Sequence, residues 1–162
     1  TKILRDYITD QELYEKIVDR YESKKSNEDL FIMSISMQNH GGYTEKYDNF
    51  DEKARMLGIN YPDVNQYLSL IHESDSALEY LISYFEKVDD PVEIVFFGDH
   101  QPSDAVASTV LAKNGMSWNH LTEEQQKLRY QVPYVVWANY DIGEETGADT
   151  SVNYLFATQL EL

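Results

Sequence analysis

The chain has 162 residues, 29 of them acidic and 13 basic, which gives a formal net charge of −16. A surface this acidic repels nucleic acids and anionic membranes, so neither is expected as a partner. The absence of cysteine excludes disulfides, a thiolate nucleophile and cysteine-bound zinc. No apolar run approaches membrane-spanning length, so we expect this chain itself to be soluble. It opens on Thr1 and not on Met, and we expect it to be an excised piece of a longer protein.

The first third of the chain predicts a helix followed by a strand. Thr9 and Glu12 have the spacing of a capping box, and apolar residues follow at helical spacing, so a helix is expected over 10–23. Residues 30–37 are largely apolar and predict a strand. This strand is expected to end in a polar, glycine-containing turn that carries His40.

The longest predicted helix covers about residues 63–88, introduced by Pro62. Asp75 falls on its apolar stripe, where a hydrophobic residue is expected. Because a buried carboxylate needs hydrogen-bond partners, we expect Asp75 to be buried, hydrogen-bonded and remote from any metal site. A structural role for this residue is favoured over a catalytic one.

A second apolar run, Val92 to Phe97, predicts a strand buried on both faces, as inside a parallel sheet. It ends abruptly at Gly98, where Asp99 and His100 follow. The remaining pattern predicts short helices at 103–113 and 121–130 and a third strand at 131–138. A terminal helix follows, capped by Thr150 or Ser151.

The alternation of strands and helices predicts an α/β fold with three layers, α/β/α, around a mainly parallel sheet. Three strands are few for a sheet that is covered on both faces, since sheets usually contain more. We therefore expect an incomplete domain, in which the missing amino-terminal half of the same domain supplies further strands. An unpaired edge of this kind also makes a homodimer of the piece a plausible assembly.

Two turns that carry histidine follow strands. Asp99 and His100 offer a carboxylate and an imidazole, both ligands of divalent metals such as zinc or manganese. If the strands are parallel neighbours, His40 faces the same crevice. A metal with an extra imidazole suits phosphoryl or sulfuryl transfer. The alternative is that each turn is purely structural, with an exposed histidine.

Several stretches resemble the lipoteichoic acid synthase-like phosphoglycerol transferases, in the sulfatase branch of the alkaline phosphatase superfamily. The two histidine motifs, in this order and separation, are the most specific part of the resemblance, which covers nearly the whole chain. The stretches that carry it are Phe31 to Tyr43, Tyr67 to Phe85, Phe96 to Pro102, Val132 to Tyr140 and Ser151 to Leu155.

The resemblance implies that Asp99 and His100 are two of four ligands of a divalent metal, with manganese expected and zinc, magnesium or calcium as alternatives. It implies that His40 contacts the phosphoglycerol head group of a lipid or polymer substrate. The nucleophilic threonine and an acidic ligand would lie upstream, so the catalytic nucleophile is expected outside this chain. The whole protein would be membrane-anchored, with an extracytoplasmic catalytic domain.

The nucleophile would distinguish transferase, sulfatase and phosphodiesterase, so these activities stay open, although the turn around His40 favours the transferase. The chain alone is expected neither to hold its metal tightly nor to catalyse transfer, because two protein ligands are few for a catalytic metal. An alternative from another class is a non-catalytic α/β module that binds a partner through its acidic surface.

Overall fold

The computed structural model describes residues 1–143 and 149–159. The fold contains two helices that pack on each other and two small sheets. The elements in chain order are β1 (Ile3–Leu4), β2 (Tyr7–Ile8), α1 (Asp10–Glu22), α2 (Pro62–Phe85), β3 (Glu93–Phe97), α3 (Asp104–Lys113), α4 (Glu123–Lys127), β4 (Tyr134–Ala138) and α5 (Val152–Gln159). None of the helices within the described residues combines the length and apolar character needed to span a bilayer.

Both sheets within the described residues are antiparallel pairs, so the predicted mainly parallel sheet is not confirmed by this part of the chain. β1 and β2 form a hairpin, and β3 pairs with β4 in a register that sets Glu93 opposite Ala138 and Phe97 opposite Tyr134. β3 was expected to be buried on both faces, yet Phe96 remains 36% exposed. A strand with one neighbour and little covering cannot bury both faces, so the predicted layering is not formed by these residues.

The predicted strand at 30–37 is absent from the structure, which has neither strand nor helix there. Phe31, Met33 and Ile35 are 77%, 64% and 75% exposed. The apolar pattern was correctly recognised, but a strand also needs a neighbour to receive its backbone hydrogen bonds. None of the described strands pairs with this segment.

Two apolar clusters stabilise the packing. The first joins α1 to α2 through five buried residues, Tyr14, Val18, Ala77, Leu81 and Phe85. The second joins α2 to α3 and to the turn after residue 40, and its buried members are Tyr43, Val64, Leu70 and Val106. The second cluster matters for function because both histidine-bearing turns lie beside it in the chain.

The predicted phase of α2 is wrong by one position around Asp75. Asp75 is exposed, and the hydrogen bonds and ion pairs found among the described residues do not include its side chain. Ser74 takes the buried position instead, at 7% exposure, and is followed at helical spacing by the buried Ala77 and Leu81. A polar side chain faces inward at this point because it joins a buried hydrogen-bond network.

The helix boundaries agree closely with the sequence patterns. The Thr9 hydroxyl accepts a hydrogen bond from the Glu12 backbone N–H at 3.1 Å. The Glu12 carboxylate does not complete the capping box and accepts from the backbone N–H of Lys2 at 3.0 Å. The helix expected over 121–130 is shorter, since only Glu123–Lys127 is α-helical and a 3₁₀ turn continues to Tyr130. The apolar residues of the terminal helix, Leu155, Phe156 and Leu160, are predicted from their spacing to face inward. Leu155 is 3% exposed, and the side chains of Phe156 and Leu160 lie outside the described ones.

Candidate active site

The turn that carries Asp99 and His100 begins where β3 ends. The Gly98 N–H donates to the Pro133 carbonyl at 3.2 Å, which is the last backbone link between the two strands of this sheet. A Cβ atom on residue 98 would lie 3.3 Å from Cβ of Val132, so the close approach favours glycine. Asp99 and His100 then leave the sheet with side chains that are 80% and 74% exposed.

The side-chain atoms of Asp99 and His100 converge. Asp99 Oδ2 lies 3.3 Å from His100 Nε2, and Asp99 Oδ1 accepts from the His100 backbone N–H at 2.9 Å. His100 Nδ1 lies 2.8 Å from the Gln101 carbonyl. Because a carbonyl can only accept, Nδ1 carries a proton, so in the neutral ring the Nε2 lone pair lies beside the carboxylate. Two electron-pair donors at this separation are an arrangement that a cation stabilises.

These two residues fit a divalent metal as partial ligands. A backbone carbonyl on Nδ1 is the usual partner that orients a metal-binding histidine. Within residues 1–143 and 149–159, however, no group of three or more His, Cys, Asp or Glu side chains is placed to hold one ion. Asp99 and His100 therefore account for part of a coordination sphere, and further ligands would have to come from elsewhere.

The turn that carries His40 is held by its own backbone. The His40 N–H donates to the Met37 carbonyl at 3.0 Å, and the Tyr43 hydroxyl donates to the Asn39 carbonyl at 2.8 Å. Gly42 has φ of 92°, a left-handed conformation that favours glycine. The His40 ring is exposed, and its Nδ1 lies 3.0 Å from the Tyr7 hydroxyl.

Arg5 clamps this turn from the β1–β2 hairpin. Its guanidinium donates to the carbonyls of Gln38 at 3.1 Å, His40 at 2.6 Å and Gly42 at 3.4 Å. A further hydrogen bond of 3.2 Å goes to Gln66 on α2. The arginine is only 3% exposed, so these partners replace the water that the charged group has lost.

A second set of buried polar groups holds the same turn to both helices. Asp10 at the start of α1 accepts from the Ser74 hydroxyl at 2.5 Å. The Gln38 side chain accepts from the Asp10 backbone N–H at 3.1 Å and donates to Ser74 at 3.2 Å. Asn39 donates to Ser74 at 2.8 Å. Burial raises the pKa of the Asp10 carboxyl, against the opposing effect of the Ser74 hydrogen bond.

One buried cluster connects the elements that follow the two histidine turns. Val106 of α3, which follows the Asp99 turn, packs in the same buried cluster as Tyr43. Burial and the neighbouring Tyr67 raise the pKa of Tyr43, the positive charge of Arg5 lowers it, and the negative charge of Asp99 has a smaller raising effect. That His40, Asp99 and His100 form one site stays a prediction.

The sequence-based reasoning missed Tyr7, Arg5, Asp10 and Ser74. The alternation in Ile3-Leu4 and Tyr7-Ile8 around two polar residues is a hairpin signal that could have located the first two. No local sequence pattern identifies Asp10 or Ser74, because these two residues contact each other across 64 positions of the chain.

The family model for sulfatases matches residues 2–162 of the chain. The chain therefore belongs to the sulfatase family. It is also similar to the capsular polysaccharide biosynthesis protein RkpI of Rhizobium meliloti (strain 1021), with 34% identity over 96 residues. That match covers 59% of this chain and 16% of RkpI, so the chain corresponds to a small part of that relative. No solved structure matches the chain.

Proposed function

We propose that the chain is the carboxyl-terminal part of the catalytic domain of a metal-dependent phosphoglycerol transferase, or of a closely related sulfatase-like hydrolase. The observation that carries the proposal is the convergence of Asp99 Oδ2 and His100 Nε2 on one exposed turn. In a chain of the sulfatase family, this pair is suited to a divalent metal.

Each residue has a distinct role in this proposal. Asp99 and His100 bind one divalent ion, with manganese expected, together with ligands from outside this chain. When bound, the ion supplies positive charge that neutralises the anionic oxygens of the transferred group. His40 donates a hydrogen bond to the phosphate of a phosphoglycerol head group. The nucleophile is supplied upstream, so this chain contributes binding and orientation.

The substrate is proposed to be a phosphoglycerol-bearing lipid or polymer of the cell envelope. The name of RkpI assigns that relative to capsular polysaccharide biosynthesis, which favours an envelope substrate over a small soluble ester. The strongly negative charge of the chain is consistent with a metal that must offset repulsion of an anionic substrate. The whole protein is proposed to be membrane-anchored, with this domain outside the cytoplasm.

The metal part of the proposal is tested by titrating the isotope-labelled chain with manganese and following its amide resonances. Paramagnetic broadening is expected first at Asp99 and His100, then at His40 and Tyr43. Binding should be weak, because two protein ligands are present. The double substitution Asp99→Asn and His100→Ala replaces both ligands and should abolish the broadening of the resonances around residues 99 and 100.

The control must separate a site from diffuse attraction by an acidic surface. Asp75 is an exposed carboxylate on α2 and is not one of the proposed metal ligands. Asp75→Asn should leave the broadening at Asp99 and His100 unchanged. Broadening that follows exposed carboxylates generally, or that survives loss of both ligands, would contradict the proposed metal site.

A further inference from the structure

The β1–β2 hairpin contacts both the backbone and the side chain of the turn that carries His40. Arg5 holds the turn's backbone, and its hydrogen bond to the His40 carbonyl measures 2.6 Å. Tyr7, two residues later, holds the ring, with its hydroxyl 3.0 Å from His40 Nδ1. The aromatic rings themselves are 5.5 Å apart at an angle of 53°. Backbone and ring of His40 are thus fixed by one small element.

The two-residue loop of the hairpin directs Arg5 toward the turn of His40. This loop, Arg5 and Asp6, places Arg5 at φ of 55°, in the left-handed region that short hairpin loops require. Arginine is rarely found in this conformation, because it has a Cβ atom. The hydrogen bonds of the guanidinium to three carbonyls of the turn hold it there.

The direction of the hydrogen bond between Tyr7 and His40 decides which ring nitrogen carries the proton. A phenol can donate or accept, and a neutral imidazole has one nitrogen of each kind. The Arg5 guanidinium lies 5.7 Å from the centroid of the Tyr7 ring, and its positive charge polarises the phenol toward donation. When Tyr7 donates, Nδ1 is the acceptor and the proton resides on Nε2.

We propose that Tyr7 is a positioning residue for His40, which fixes the imidazole in the tautomer that presents Nε2–H as a donor to an anionic oxygen of the ligand. Its use at a phosphate rests on the proposed function, whereas the tautomer itself does not. An Nε2–H on the far side of the ring from Tyr7 is the group that a phosphate oxygen can accept from. Without Tyr7 the ring would rotate and exchange between tautomers, so fewer molecules would present this donor.

The tautomer is tested by ¹⁵N NMR of the histidine rings of the whole chain in mildly alkaline buffer, in which free histidine is neutral. The four histidines are resolved by assigning His40 through its loss in His40→Gln. In the unsubstituted chain, His40 should show an unprotonated Nδ1 and a protonated Nε2. His100 should show the opposite tautomer, because its Nδ1 faces the Gln101 carbonyl.

Tyr7→Phe keeps the aromatic ring and removes only the hydroxyl. The Nδ1 and Nε2 shifts of His40 should then move toward each other, as exchange between tautomers becomes free. Tyr130→Phe, at a residue that is 84% exposed, is the matched control and should leave the shifts of His40 unchanged. Unchanged shifts in Tyr7→Phe, or a protonated Nδ1 in the unsubstituted chain, would overturn the proposal.

A second measurement connects the tautomer to binding. The affinity of the chain for glycerol 1-phosphate in the presence of manganese should fall about 3- to 10-fold in Tyr7→Phe, the effect of one hydrogen bond. Tyr7→Phe should have no further effect in a His40→Gln background, where there is no ring to orient. An equal loss in both backgrounds would make Tyr7 merely structural. If no variant binds this ester, phosphoglycerol is the wrong ligand, and the ring-nitrogen shifts still decide the role of Tyr7.

Discussion

The two histidine-bearing turns are held in opposite ways. The turn of His40 is fixed by buried groups from the hairpin and both long helices, among them Arg5 at 3% and Gln38 at 1% exposure. The turn of Asp99 and His100 is exposed, and its contacts are to its immediate neighbours and to Gln131 through Gln101. The first is preorganised within this chain, whereas the second is left open for a ligand or for the rest of the domain to order.

The largest expected effect follows from removing the clamp on the first turn. Arg5→Met leaves the carbonyls of Gln38, His40 and Gly42 without their donor, and should lower the free energy of unfolding by about 2–4 kcal/mol. Urea unfolding followed by circular dichroism measures this change.

The matched substitution in the second turn is His100→Ala. Its side chain is 74% exposed, so the free energy of unfolding should change by less than about 0.5 kcal/mol. Comparable losses from the two substitutions would show that the turns are equally integrated into the fold, and the contrast between them would fail.

The next effect concerns the buried carboxylate in the network. Burial raises the pKa of Asp10, so the folded chain holds this proton to higher pH than the unfolded chain does. The contribution of Asp10 to stability is therefore present below the unfolded pKa near 3.8 and is lost as pH rises through the raised folded value. Relative to Asp10→Asn, the unsubstituted chain should lose stability from about pH 4 upward, measured by urea unfolding at stepped pH.

The half-buried carboxylate of Glu28 should give a pH dependence of stability with the opposite sign. The backbone N–H of Lys25 and the ion pair with Arg20 lower the pKa of Glu28. Relative to Glu28→Gln, the unsubstituted chain should gain stability as pH rises through the same region. Both comparisons give the stability of the unsubstituted chain minus that of the variant as a function of pH. If this difference rises with pH for Asp10→Asn as it does for Glu28→Gln, the Asp10 carboxylate is not held in a desolvated site.

The contrast also explains what the sequence could predict. Local signals located the boundaries of α1 and α3 to within one residue and the end of β4, since caps and apolar periods are encoded within a few residues. The direction in which β3 pairs, and whether residues 30–37 form a strand, both depend on which other strands are available as neighbours. A local apolar run does not contain that information. The Asp99–His100 motif was visible because it is contiguous. The clamp around His40 was not, because Arg5 reaches its partners across 33 to 61 positions.

A comparison of two adjacent residues locates the edge of the preorganised region within α2. Ser74 and Asp75 are adjacent, but Ser74 contacts Asp10, Gln38 and Asn39, whereas Asp75 is exposed. Ser74→Ala leaves those buried groups short of a partner and should cost about 1–3 kcal/mol. Asp75→Ala should change the free energy of unfolding by less than about 0.5 kcal/mol, because its carboxylate is already hydrated. Both are read from the same urea titrations. If Asp75→Ala lowers the free energy of unfolding as much as Ser74→Ala does, Asp75 is buried as the apolar stripe predicted. Ser74 would then not be the residue that joins α2 to the turn of His40.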